Sequence, residues 1–139
     1  MDGGYKGKVY PVNPSAEGDI LNLKSYKNIS EIPIPPDLAI IVIPARFVLD
    51  VAEECGKKGV KGLIVISAGF KEAGEEGKKR EELLKEIVKR YKMRMIGPNC
   101  LGVIDVVNHL NASFAFDMPP KGKISFITQQ FLTGQQKKT

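Results

Sequence analysis

Few side chains in this sequence could form or break bonds, and their spacing argues for binding more than for bond chemistry. The two thiols, Cys55 and Cys100, and the single imidazole, His109, are the obvious nucleophile and base. A nucleophilic pair needs the two groups within hydrogen-bond reach, and no spacing here argues for that. Cys100 reads as a small buried thiol and His109 as a surface residue. Glu72, Glu75 and Glu76 stand just before a helix-forming stretch, where carboxylates complement the positive end of the helix dipole. They do not read as a metal site. More is carried by the run Met95-Ile96-Gly97-Pro98-Asn99-Cys100-Leu101-Gly102. Glycine permits positive φ and close backbone approach, while proline fixes φ and removes a donor. So many constraints directly after an apolar strand describe a shaped loop at the carboxyl edge of a sheet, where open α/β folds hold their ligands.

Three other segments have the same character. Asn13-Pro14-Ser15, Pro44-Ala45 and Ser67-Ala68-Gly69-Phe70 each follow a run that reads as a strand. Helix N-termini after such exits present free N–H groups that suit phosphate or carboxylate. From the residues alone, a phosphorylated ligand and an empty structural edge are both compatible with these exits.

The elements that must position the exits are clearest in the middle of the chain. Leu38-Ala39-Ile40-Ile41-Val42-Ile43 is apolar throughout, as expected of a strand covered on both faces in a parallel sheet. Residues 46–55 place Phe47, Val48, Val51, Ala52 and Cys55 on one helical stripe, with Gly56 as the expected stop. A second buried strand spans 62–66. A second helix is expected over about 77–92, with Leu83, Leu84, Ile87, Val88 and Tyr91 on one stripe and Glu81/Lys85 and Glu86/Arg90 paired outside. The third strand is 93–96. Strand and helix alternating at this spacing imply consecutive βαβ units and a parallel sheet.

Outside this run the patterns are weaker. Residues 1–7 are short, glycine-rich and expected to fray. Residues 8–12 read as a strand, with Pro11 favouring an edge. Residues 16–23 suit a helical turn or loop, and 24–32 another short strand. Residues 103–117 show no clear period, 118–122 read as a linker, 123–127 could begin one more strand, and 135–139 are polar and expected to be disordered.

Composition excludes several classes. The 139 residues suffice for one domain with a real core, at 42% hydrophobic and 27% charged residues. No apolar run reaches the ~20 residues of a membrane span, and no signal-peptide pattern opens the chain. Two cysteines far apart, without metal-ligand spacing, fit a reduced, cytoplasmic setting. The net charge of +5 favours an anionic partner, but no aromatic stripe runs among the basic residues as nucleic-acid binding would ask. No nucleic-acid or membrane partner is therefore expected.

Four segments in order, at residues 5–14, 37–45, 62–70 and 95–102, with Leu110-Asn111-Ala112-Ser113-Phe114-Ala115 as a fifth, resemble the CoA-binding domain of the NDP-forming acyl-CoA synthetases. That family includes the ADP-forming acetate–CoA ligases, relatives of the succinyl-CoA synthetase α subunit. The similarity runs from about Tyr5 to Ile127. It implies an α/β, Rossmann-like parallel sheet with helices on both faces and coenzyme A or acyl-CoA across the carboxyl ends of the strands. By match to the motifs, Val12, Asn13, Pro14, Ile43, Pro44, Ala45, Ser67, Ala68 and Gly69 would contact CoA, and Gly97, Pro98 and Asn99 would shape the site near the thiol end.

The departures from the family are equally specific. The family opens with a strand and a glycine-rich loop that this sequence does not match. That strand would lie between the one at Val9 and the one at Leu38, so unpaired backbone and a gap are expected there. Ser15 and Ala16 stand where a lysine often follows Asn-Pro. The family's Ser-Gln-Ser-Gly turn is replaced by Thr128-Gln129-Gln130-Phe131. The phosphohistidine and nucleotide-binding parts have no counterpart, and His109 does not match the phosphohistidine. The expected organisation is a partial CoA-binding domain over 1–120 and, over 121–139, the start of a following domain or a tail. The expected function is CoA binding within an acyl-CoA synthetase, inactive alone, with the remaining synthetase domains or subunit as the expected partner. A standalone regulatory CoA-binding protein and a remnant that binds nothing are the alternatives.

Overall fold

A computed structural model describes residues 4–125 and 127. Its centre is a three-stranded parallel sheet of β1 (Leu38–Ile41), β2 (Gly62–Val65) and β3 (Arg94–Ile96), in the order β1-β2-β3. The register aligns Ile40, Ile64 and Ile96 in one row and Ala39, Leu63 and Met95 in the next. Between the strands run α1 (Val48–Lys58) and α2 (Glu75–Arg90). The βαβαβ unit is therefore as the apolar periodicity implies, and the α/β, Rossmann-like parallel architecture holds.

The core forms where the helices meet the sheet. Val48, Ala52 and Cys55, spaced four and three apart on α1, are fully buried beside Leu84 and Ile87 of α2 and Ile41, Leu63 and Val65 of the strands. Fully burying one such aliphatic side chain stabilises the fold by about 1.5–3 kcal/mol. Both helices lie on one face and touch each other. Glu53 joins them, accepting from the Arg90 guanidinium at 3.1 Å and from the Tyr91 hydroxyl at 2.6 Å. Among the described residues the opposite face carries no helix, so the helices expected on both faces, and the double cover expected of β1, are not found. There Ile40 and Ile96 stay 44% and 49% exposed while the central Ile64 between them is buried.

The boundaries shift for identifiable reasons. A 3₁₀ turn (Ala45–Phe47) precedes α1, and Phe47 is half exposed beneath the Arg46 guanidinium, 4.6 Å from its ring centre. The helix runs past Gly56, which packs closely against the Tyr91 ring, and ends at Gly59 in the left-handed region. α2 begins two residues before Gly77. Glu81 and Lys85 pair at 2.6 Å as expected, but Arg90 reaches across to Glu53 on the other helix instead of back to Glu86.

The flanks differ more. Residues 8–12 do not form a sheet strand: among the described residues the only pairing there is an isolated parallel bridge between Val12 and Tyr26. Residues 24–32 hold that bridge and a short 3₁₀ turn (Ile29–Glu31) capped by Asn28. A strand needs a neighbour on its hydrogen-bonding edge, and residues 8–12 have only Tyr26. Between 5–10 and 34–38 lies a hollow of about 280 Å³. β1 is an edge strand: Asp37 and Ile41 offer their carbonyls to β2, so the alternation of the ladder turns the backbone of Leu38, Ile40 and Val42 away from it. Among the described residues, then, β1 has no partner strand along that outer edge, the place where unpaired backbone and a gap were expected.

Residues 103–117, without visible period, contain an antiparallel hairpin of β4 (Gly102–Asp105) and β5 (Leu110–Ser113). The Asp105 carboxylate closes its turn by accepting from the N–H groups of Val107 and Asn108. These bonds hold the carboxyl of Asp105 below its ordinary range, with the Asn108 side-chain amide contributing most. Residues 121–125 form no strand, and the readings made for 128–139 lie outside the described residues.

Candidate functional site

Three of the four exits meet at the carboxyl edge of the sheet, and Ser67 is the residue that joins them. Ser67 follows β2, the central strand, so it has a neighbour on each side. Its hydroxyl accepts from the Ile43 N–H at 3.1 Å and lies 3.4 Å from the Ile41 carbonyl, to which it donates. On the other side its carbonyl accepts from the Asn99 N–H at 3.0 Å. A hydroxyl this buried would be costly without partners; here both of its roles are filled. Serine at this position therefore splices the β1 exit, the β2 exit and the β3 exit into one surface.

The two flanking exits are shaped by close approach. Gly97 has φ +92°, and a Cβ there would lie 2.2 Å from the Val65 carbonyl oxygen, so only glycine fits. The Gly97–Pro98 peptide is cis, and Asn99 follows at φ +54°. The Cys100 thiol, half-buried, donates to the same Val65 carbonyl at 3.4 Å. On the other side Pro44 caps the 3₁₀ turn, its carbonyl accepting from the Phe47 N–H at 2.9 Å. Gly69 has φ +101° and presses against Ala45, whose Cβ would be 2.8 Å from any Cβ placed on Gly69.

The sequence reasoning missed two side chains that bear on this edge. Glu72 does not lie over the helix it was expected to complement. Its carboxylate accepts from the N–H groups of Gly69 and Phe70, at 2.5 and 3.1 Å. Partial burial raises its pKa, and the backbone N–H bonds outweigh that, leaving the carboxyl below its ordinary value. Arg80, from α2, donates to the Gly69 carbonyl. The spacing of a carboxylate three residues after a glycine turn could have suggested the first; nothing local could have suggested the second. Glu75 and Glu76 do lie in the first turn of α2.

Ile43, Pro44, Ala45, Ser67, Ala68, Gly69, Gly97, Pro98 and Asn99 thus fall on three exits joined by direct bonds and contacts. Val12, Asn13 and Pro14 are not tied to them. The Asn13 N–H donates to Tyr26, and its side chain accepts from the Ser15 N–H at 2.9 Å. Cys55 lies in the core, where burial pushes its thiol up to about 12, well away from nucleophilic use. His109 sits at φ +56° in the turn of the β4–β5 hairpin. What the joined exits offer a ligand is backbone and small side chains, a surface suited to cradling an extended polar molecule.

An open parallel α/β sheet with a glycine-shaped carboxyl edge defines the class of Rossmann-like ligand-binding domains. The sequence profile of the CoA-binding domain matches residues 2–105, and the chain belongs to that family. It is 50% identical over 128 residues to the acetate–CoA ligase [ADP-forming] II subunit alpha of Pyrococcus furiosus, covering 92% of this chain and 28% of that subunit. It is 46% identical over 128 residues to the 4-hydroxybutyrate–CoA ligase [ADP-forming] of Nitrosopumilus maritimus, covering 91% and 18%. Among solved structures, the dinucleotide-forming acetyl-coenzyme A synthetase 1 of Ca. Korarchaeum cryptofilum, in complex with phosphate and ADP, superposes with a TM-score of 0.76. The identity is 44%, over 81% of this chain and 24% of that one. The chain therefore spans less than a third of the length of these relatives.

Proposed function

We propose that this chain supplies the CoA-binding part of an ADP-forming acyl-CoA synthetase, a protein that interconverts acyl-CoA, ADP and phosphate with acid, CoA and ATP. CoA or acyl-CoA would lie across the carboxyl ends of β1, β2 and β3. Ile43, Pro44, Ala45, Ser67, Ala68 and Gly69 would contact it, with Gly97, Pro98 and Asn99 shaping the thiol end. The observation that carries this reading is the splice at Ser67, which joins the three matching motifs into one continuous surface. Val12, Asn13 and Pro14 belong to the proposed contacts on sequence match alone.

The phosphoryl and nucleotide steps would fall to other synthetase domains or a partner subunit, and the chain alone would bind without turning over. Thermal unfolding with and without CoA tests the binding. A ligand that binds only the folded state at a hundred times its Kd adds about 2.7 kcal/mol of stability. A rise in Tm with CoA concentration is expected, and a flat Tm at millimolar CoA would sink the proposal. Copurification with a subunit that binds ADP would support the assembly.

A further inference from the structure

The turn after β2 is held by two side chains from the following turn and helix, Glu72 and Arg80. We propose that Glu72 and Arg80 are positioning residues for CoA: together they clamp the Gly69 peptide and so fix the backbone that the cofactor meets. This rests on the CoA-binding reading.

The geometry is specific to one peptide unit and its neighbour. Glu72 Oε1 accepts from both the Gly69 and Phe70 N–H groups. Arg80 Nη1 donates to the Gly69 carbonyl. The Lys71 N–H is taken by Glu81 at 3.3 Å. Three consecutive amides are thus satisfied by carboxylates of the following turn and helix, and the carbonyl by a guanidinium. Phe70, fully buried, anchors the turn in the core.

Such a clamp is needed because Gly69 is in a region of φ that other turns around glycine could exchange for many alternatives. Its close contact with Ala45 means that any drift of this peptide also moves the β1 exit. A loop fixed before the ligand arrives loses less entropy on binding, which strengthens affinity without a new contact. The clamp also removes the Gly69 and Phe70 N–H groups from the donors free to receive a phosphate. CoA would therefore meet the Ser67-Ala68 side of the turn.

The opposite role is chemically possible for the same carboxylate: an internal anion holding the N–H groups that a phosphate would otherwise take. The two roles give opposite signs. Calorimetric titration with CoA would compare the 139-residue chain with Glu72→Ala, Glu72→Gln, Arg80→Ala and the control Glu76→Ala. With the turn no longer fixed before binding, Glu72→Ala and Arg80→Ala should each weaken CoA about tenfold, or about 1.4 kcal/mol. Glu72→Gln keeps an acceptor oxygen and should recover part of the loss, and Glu76→Ala should bind as wild type. Amide exchange at Gly69 and Phe70, measured without CoA, should quicken in Glu72→Ala more than exchange in the core of β2, with Tm falling by a few degrees.

Unchanged CoA affinity in Glu72→Ala and Arg80→Ala would overturn the clamp and leave CoA binding standing. Tighter binding in Glu72→Ala would overturn it in favour of the competing anion. Absence of CoA binding by the wild-type chain would overturn both readings, even with the exchange data as expected. Should Glu72→Ala fail to fold, the milder Glu72→Gln still decides by the sign of its effect.

Discussion

The stretch from β1 to the β3 exit and the stretch before it are built from similar local signals, yet only one becomes a sheet. Residues 8–12 lead into Asn13-Pro14 as β1 leads through Val42 into Ile43-Pro44, and both carry apolar residues ahead of that proline. β1 has β2 beside it along its whole length and a helix covering one face. Residues 8–12 have one bridge, to Tyr26, and a hollow between them and the approach to β1. A strand gains its stability from pairing and packing, so an apolar run without a neighbour stays irregular. The difference teaches that the exits of this chain come together where paired strands bring them to Ser67, while their own glycines and prolines shape each turn.

The comparison can be broken first in the core. Leu84→Ala should cost about 2–5 kcal/mol, since the side chain is fully buried between α1 and the sheet. Urea unfolding measures it, and a loss well under that would mean the helix face is less packed than it is here. Alkaline pH probes the same core. The buried Cys55 thiol has its pKa raised from 9.0 to about 12, chiefly by burial. Its contribution is fully present below pH 9 and is lost as pH rises from there through about 12, because the unfolded chain releases the proton first. Cys55→Ala should flatten that alkaline fall in urea midpoints.

At the edge itself, Gly97→Ala forces a Cβ against the Val65 carbonyl at positive φ and should cost about 1–3 kcal/mol. Its Tm and its CoA affinity should fall together. Ser67→Ala leaves the Ile43 N–H without its partner and should cost about 1 kcal/mol. In a hydrogen-exchange experiment the Ile43 amide should quicken while the amides of β2 stay protected. The smallest effect is expected at Val12, an exposed residue in the bridged segment. Val12→Ala should change stability by no more than about 0.5 kcal/mol. A loss matching that of Ser67→Ala would erase the contrast between the two regions.

Much of the central fold was legible because β1 and β2 lie in nearly continuous apolar runs and each helix carries a 3.6-residue stripe. The motifs at Pro44, Ser67 and Gly97 were legible as exits for the same reason, with glycine and proline marking where the chain must turn. The hairpin over 102–113 was not, because its closing turn depends on the Asp105 carboxylate, β4 shows no alternation and β5 is only four residues long. The end of α1 was misplaced by three residues because Gly56, read as a stop, is a contact point for Tyr91.

By itself, then, the sequence determined which runs are strands and helices and where the carboxyl edge lies, since periodicity and backbone constraint are local properties. Only the tertiary structure decided that both helices share one face, that Arg90 answers Glu53 and not Glu86, and that residues 8–12 remain outside the sheet. It alone brought Glu72 and Arg80 to the Gly69 peptide. Those outcomes depend on which distant groups come within hydrogen-bond reach, and distance in space is what a linear pattern does not carry.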